Sequence, residues 1–334
     1  MSTTDFQADI DADIDPEVVQ WVEMLRSPDL NDRLVAAKSL QHLGDEDAIE
    51  SLVLALEDES PRVQEIAVTA LWEIANPVAI APLLKCLGSA YEEDVRAEAL
   101  SALKEMISPD DLLTLLDAIL IDDENVQINV LILLRKIHDA QALPYVVPFF
   151  ESESPALREA AVVTLRYLNQ VVRCKPALPL AKDDHSEVRR SAILTLGHLS
   201  DDEVIPMLCE ALSSDDDWQV RRNAAQALDL HTTKTAIPAL IKAMADDHWQ
   251  VRKFTARALQ RVPDETAIPA LIKALSDEYS DVRRDAAIAL GNIGDPAVLP
   301  ALQQTLDDPD RDVQIFSERA IKGIQSKLGE KANA

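Results

Sequence analysis

The sequence predicts an all-α protein, a right-handed α-solenoid of about ten helix pairs, and three observations carry that expectation. Hydrophobic residues make up 47% of the chain and aromatics only 4%, so the apolar mass is mainly Ala, Leu, Val and Ile. Glycines number only seven. A glycine costs about 1 kcal/mol against alanine in a helix interior, so this composition favours helices over hairpins or phosphate-binding loops. The third observation is self-similarity: "DDDWQVRRNAAQAL" at 215–228 returns as "DDHWQVRKFTARAL" at 246–259. A sequence that repeats itself at a fixed period is the signature of a stacked-repeat architecture.

Aligned on the Val of Val-Arg, equivalent positions fall at Asp32, Val63, Val95, Val126, Leu157, Val188, Val220, Val251, Val282 and Val313. These anchors are 31 or 32 residues apart, which makes ten repeats. Eight residues after each stand Leu40, Leu71, Leu103, Leu134, Leu165, Leu196, Leu228, Leu259, Leu290 and Ile321. Each repeat resolves into two helices. In the ninth, "TAIPALIKALSD" sets Ile268, Leu271, Ile272 and Leu275 on one face. Pro269 is expected in the first turn, where its missing N–H costs little. The second helix carries Val282, Ala286, Ala289, Leu290 and Ile293, one stripe at helical periodicity. A lone pair cannot bury that stripe, so the pairs must stack into a continuous core. With neighbouring helices roughly 8–10 Å apart, ten pairs predict a curved rod about 80–100 Å long.

The phrases "WQVRxxAAxAL" and "AIPALIKAL" resemble HEAT repeats over roughly residues 17–325. They are most similar to the short variety in cyanobacterial phycobilin lyase subunits of the E/F type and their relatives. The resemblance implies a protein-binding scaffold. Among such relatives, the implied clients are a phycobiliprotein or an A-type iron–sulfur scaffold protein. It further implies no cofactor of the chain's own, with phycocyanobilin or a client-borne iron–sulfur cluster as the groups in play.

The residue after the anchor is Arg in seven repeats and Gln in three: Gln64, Gln127 and Gln314. Five residues before the anchor, Asp stands at 58, 183, 215, 246, 277 and 308. An Arg fork can bond a carboxylate and loop carbonyls of an adjacent repeat, so these rows read as a structural ladder rather than catalytic pairs. Trp218 and Trp249 stand at the turn before the second helix, with Tyr279 one place from the equivalent position. They fit either wedges between neighbouring turns or an aromatic rim for a partner.

Two residues after the anchor, repeats six to nine place Arg190, Arg222, Lys253 and Arg284, a basic stripe facing away from the core stripe. N-terminal to it, Ile128, Ile132, Val163, Tyr167, Leu194 and His198 read as an apolar patch for a partner, flanked by Arg135 and Arg166. The other reading of those aliphatics is burial by a tighter bend.

The sixth repeat breaks the pattern near 169–188, where Pro176 and Pro179 are expected to shorten or kink its first helix. Cys174, beside Arg173 and Lys175, reads either as a partly exposed thiol favouring thiolate or as inert core; Cys86 and Cys209 read as structural. The three cysteines and six histidines form no metal-ligand spacing. Residues 1–16 are expected to be a disordered acidic tail and 326–334 to fray.

Net charge is −27, which repels phosphate backbones and anionic lipid. There is neither a secretory signal nor an apolar run long enough to span a bilayer, and the chain reads as cytoplasmic. It carries no nucleophile elbow, phosphate loop, metal-helix motif or dinucleotide fingerprint. The leading expectation is therefore a non-catalytic scaffold gripping a protein client in its groove. The alternative is a bilin lyase subunit or bilin chaperone, with the stripe meeting propionates and the Trp or Tyr rings facing the tetrapyrrole.

Overall fold

In a computed structural model, residues 15–231 and 233–332 are described, with side chains as far as Leu328. They form helices and turns, with no strand among the described residues. The chain divides into two compact units. The first holds the described residues up to Ser152 together with Tyr167–Gln170; the second holds Glu153–Arg166 and everything from Val171 onward.

In the first unit the helices are α1 (Pro16–Met24), α2 (Leu30–Leu43), α3 (Ile49–Ala55), α4 (Pro61–Ile74), α5 (Ile80–Lys85), α6 (Glu93–Met106), α7 (Leu112–Ala118), α8 (Glu124–Ile137) and α9 (Leu143–Val146). The long second helices pack in succession, α2 on α4, α4 on α6 and α6 on α8, each backed by the shorter first helix before it.

The second unit opens with α10 (Pro155–Leu165) and a 3₁₀ helix at Lys175–Lys182. It continues through α11 (Ser186–Leu196), α12 (Val204–Ser214), α13 (Trp218–Leu228), α14 (Ile237–Ala243), α15 (Trp249–Arg261), α16 (Ile268–Ala274), α17 (Ser280–Ile293), α18 (Leu299–Gln304) and α19 (Arg311–Ala332). Its second helices again pack in order: α10, α11, α13, α15, α17, α19.

The repeat phrases explain the local structure. Asp45, Asn76, Asp139, Asp264 and Asp295 each accept the backbone N–H two residues on and start a short 3₁₀ turn that leads into the first helix. Pro269 falls in the first turn of α16, as its missing N–H requires. The second helices bury the predicted stripe: the anchors Val63, Val95, Val188, Val220, Val251, Val282 and Val313 are fully enclosed, as are Leu40, Leu71, Leu103, Leu134 and Leu290. Small residues let the helices approach closely. A Cβ added at Gly291 of α17 would lie 2.7 Å from the Cβ of Ala320 on α19.

Where the sixth repeat's first helix was expected to be shortened, the chain forms the 3₁₀ helix instead, with Pro176 at its start and Pro179 inside. A proline removes the donor that an α-turn needs and crowds the carbonyl one turn back, so the tighter, shorter winding results. Cys174 caps this segment. It is only 5% exposed, and burial raises its thiol pKa, which corrects the reading of an exposed thiolate. The acidic tail falls, through residue 14, outside the described residues. Helix α19 runs on to Ala332, into the stretch expected to fray.

Candidate functional site

The polar ladder is regular in the second unit, with five Arg–Asp rungs, and has one rung among the described residues of the first. The Nε and Nη2 of Arg252 donate to the carboxylate of Asp277 in the next repeat at 2.7 and 2.9 Å. Its Nη1 donates to the carbonyls of Asp246 and Asp247, in the loop before its own helix, at 2.8 and 3.1 Å. The same fork joins Arg33 to Asp58, Arg158 to Asp183, Arg189 to Asp215, Arg221 to Asp246 and Arg283 to Asp308. Each of these carboxylates also accepts the N–H two residues ahead, as Asp277 does from Tyr279. Arg283 lowers the pKa of Asp308. Where Gln replaces Arg, it keeps only the loop half of the job: Gln64, Gln127 and Gln314 donate to the carbonyls of Asp58, Ile121 and Asp308. The anticipated carbonyl contacts are thus made to the side chain's own loop, and the carboxylate contact crosses to the neighbour.

Trp218 and Trp249 are the first residues of α13 and α15, one step further into the helix than the turn position expected. Each ring reaches across to the next repeat. Trp218 stacks on His248 with centroids 4.7 Å apart, and Trp249 stacks on Tyr279 at 4.9 Å. The guanidinium of Arg222 lies 5.7 Å from the Trp218 centroid, and the Lys253 ammonium 5.8 Å from that of Trp249. Both tryptophans are half-buried. The row therefore spends much of its ring area on its own stack.

The basic stripe is half-buried, and most of it is matched by acids. Arg190 is paired with Asp217. Lys253 reaches Asp281 at 2.7 Å, and Arg284 bonds Asp281 at 2.8 Å and Asp285 at 3.0 Å. Arg222 donates instead to the side-chain oxygen of Asn223 at 2.8 Å. Sequence reasoning missed a second cationic set one to two turns further along the helices. Arg257, Arg261 and Arg319 are exposed. Arg257 and Arg261 share one carboxylate, Asp229, at 4.0 and 3.4 Å, and Arg319 lies over Phe316 at 5.1 Å. Their signal was available: α13 and α15 contain Arg221, Arg222, Arg252, Lys253, Arg257 and Arg261 and not one Asp or Glu.

Asp285 was also missed. Its side chain is enclosed at 5% exposure, and its Oδ2 has no hydrogen-bond partner among the described residues. Burial, the largest influence, raises its pKa against the opposing pull of Arg284, Lys253 and Arg257.

The six residues of the apolar patch divide between the units. In the first, Ile128 and Ile132 are half-buried on α8. Tyr167 is 41% exposed, and its carbonyl oxygen lies 2.9 Å from His138 Nδ1. In the second, Val163 and Leu194 are half-buried, and His198 is exposed in the turn after α11. Among the described residues no group of three or more His, Cys, Asp or Glu is placed to hold a metal ion, and no helix is long and apolar enough to cross a membrane.

A stack of helix pairs tied by an Arg–Asp ladder, with cations and aromatic rings on its second helices, defines a helical-repeat protein of the solenoid class. The chain belongs to the HEAT-repeat family, whose description it matches over residues 18–104, 174–253 and 237–322. Solved structures agree on the fold. An engineered protein aligns with a TM-score of 0.55 and 24% identity, covering 93% of this chain and 99% of its own. Yeast importin-beta (Kap95p) aligns at 0.58 and 17% identity, with 98% of this chain matched to 54% of that one. Kap95p in a structure concerned with RanGDP gives 0.59 and 16%, over 98% and 53%. This chain thus spans about half the length of Kap95p. No curated protein matches the sequence.

Proposed function

We propose that the chain is a non-catalytic protein-interaction scaffold that holds a client against its second helices. One observation carries this reading: in a chain of net charge −27, two consecutive second helices, α13 and α15, bear only cations. The ladder absorbs Arg221 and Arg252, and stacking needs no charge at Arg257 or Arg261. Side chains that the architecture does not require, gathered on one set of elements, mark a surface kept for a partner. Solenoids of this kind present long repeat-built surfaces, and the likeness to Kap95p, which has been solved in complex with Nup1, is in keeping with that use. The resemblance of the repeat phrases to phycobilin lyase-like proteins points to a client that handles a cofactor, either an A-type iron–sulfur scaffold protein or a phycobiliprotein.

The bilin-lyase alternative draws on Arg222 and Lys253 beside Trp218 and Trp249. It is weakened because His248 and Tyr279 already cover one face of each indole, and carboxylates already hold three of the four stripe cations. The test is a titration of the purified chain with a purified A-type scaffold protein, a phycobiliprotein and free phycocyanobilin. Micromolar or tighter binding to one protein, with an unshifted bilin spectrum, is the expected result. A bilin absorbance shift with neither protein bound would transfer the case to the lyase reading.

A further inference from the structure

We infer that α15, α17 and α19 form a docking site for an acidic partner segment that carries an apolar side chain; this rests on the reading of the second helices as the client-binding face. The close approach of Gly291 to Ala320 leaves a cleft of about 240 Å³ between α17 and α19. Ile288 and Phe316 wall it, Gly323 opens it, and Arg319 stands at its lip. A Cβ at Gly323 would meet nothing within 4 Å, so the space there is unfilled. The cleft is smaller than the roughly 300–1,000 Å³ of small-molecule pockets. It suits one branched side chain, not a cofactor.

The charge beside it has a repeated geometry. Arg319 lies 5.1 Å over Phe316 on α19, and Arg257 lies 5.5 Å over Phe254 on α15, the same Phe-x-x-Arg spacing on two helices. A ring beneath a guanidinium holds its planar fork while leaving donors free for a carboxylate. On α15, Arg261 adds to this; Arg257 and Arg261 share the Asp229 carboxylate at 4.0 and 3.4 Å. Arginines beside a cleft walled by Ile288 and Phe316, with Asn292 also in its lining, are complementary to an acidic segment with one apolar residue. Helices two repeats apart are separated by roughly 16–20 Å, which an extended strand rising about 3.3 Å per residue crosses in about five or six residues. The matching segment therefore has acidic residues about that far apart, with the apolar side chain near the one that meets Arg319. Nucleic-acid phosphates would also be drawn to the arginines, but the overall negative field opposes them and they do not fill the cleft.

The test uses the full chain and a fluorescent synthetic peptide with leucine between aspartates at that spacing. Controls replace Asp by Asn, or Leu by Ala, and an oligonucleotide of equal charge competes. Binding by anisotropy is expected, falling tenfold or more with Arg319→Glu, with Arg257→Glu, with Gly323→Leu and with either control peptide. The two arginines are exposed, and Gly323→Leu favours the helix, so circular dichroism should be unchanged. Equal binding of the neutral peptide, displacement by the oligonucleotide, or no peptide binding overturns the inference. If the purified client still binds in that last case, the scaffold reading survives it.

Discussion

Asp285→Asn should stabilise the protein, although it removes a charge from beside three cations. The repeat register shows why. Asn223 occupies the equivalent place on α13: its Oδ1 accepts from Arg222 at 2.8 Å, and its Nδ2 donates to the carbonyl of Arg190, one repeat back, at 3.0 Å. Asp285 reproduces the first half, accepting from Arg284 Nε at 3.0 Å. Its Oδ2 occupies the place of a donor and has no partner among the described residues, while the register sets the carbonyl of Lys253 opposite it. Asparagine supplies the missing N–H, worth about 1 kcal/mol, and removes an unsatisfied buried acceptor costing about 1–3 kcal/mol. Against this, the Arg284 bond loses its charge assistance, about 1 kcal/mol. The net is a stabilisation of about 1–3 kcal/mol at neutral pH.

The sign with pH follows from the raised pKa of Asp285. The folded state holds this proton more tightly than the unfolded chain does. The contribution is therefore fully present below the ordinary carboxylate pKa of about 3.9 and is lost as pH rises through the raised folded value. Asparagine has no proton to lose, so its advantage should grow across that window and vanish in acid. Hydrogen exchange of α15 and α17 amides across pH, together with urea unfolding, measures it. A destabilised Asn variant, or one with the wild-type pH slope, would refute the reasoning.

Three further perturbations probe the architecture. Arg252→Ala strands Asp277 at 9% side-chain exposure and frees two loop carbonyls, so urea unfolding should show a loss of about 3–5 kcal/mol; the exposed Arg62→Ala should stay within about 0.5 kcal/mol. Ala75 ends α4 in the left-handed region at φ 56°. Ala75→Gly relieves roughly 1–2 kcal/mol of backbone strain, less the entropy glycine gains on unfolding, so a raised urea midpoint is expected and a lowered one would count against the strain. Trp249→Ala removes the Tyr279 stack and should cost at least about 0.5–1.5 kcal/mol beyond the area lost, while Trp249→Phe should recover most of it in the same unfolding assay.

Much of the fold was legible because it is written ten times. A valine anchor, its leucine eight residues on, and alanines between them need only helical periodicity to be assigned to a core. The Arg and Asp rows could be paired because the same spacing recurs wherever both are present. In the sixth repeat Pro176 and Pro179 pointed to a shortened or kinked helix, and the segment winds as a 3₁₀ helix with Pro179 inside it. The candidate surface was less legible. Arg190, Lys253 and Arg284 looked available by helical offset, yet each has a carboxylate close by. Trp218 and Trp249 stood out in the sequence, but their stacking partners come from the next repeat.

The sequence by itself determined the class of protein, the repeat, the core stripe and the ladder, because those depend on residue type at fixed short spacing. Only the tertiary structure decided which cations remain for a partner. Nothing in the spelling separates Lys253 from Arg257, four residues along the same helix. The difference is Asp281, which packing brings within 2.7 Å of the lysine from the next repeat, while Arg257 shares the more distant Asp229 with Arg261. Charge neutralisation depends on distances of a few ångströms between helices about thirty residues apart in sequence, and a one-dimensional pattern does not carry those distances. The same holds for the cleft beside Gly291, where the missing side chain lets α17 lie directly against Ala320 of α19.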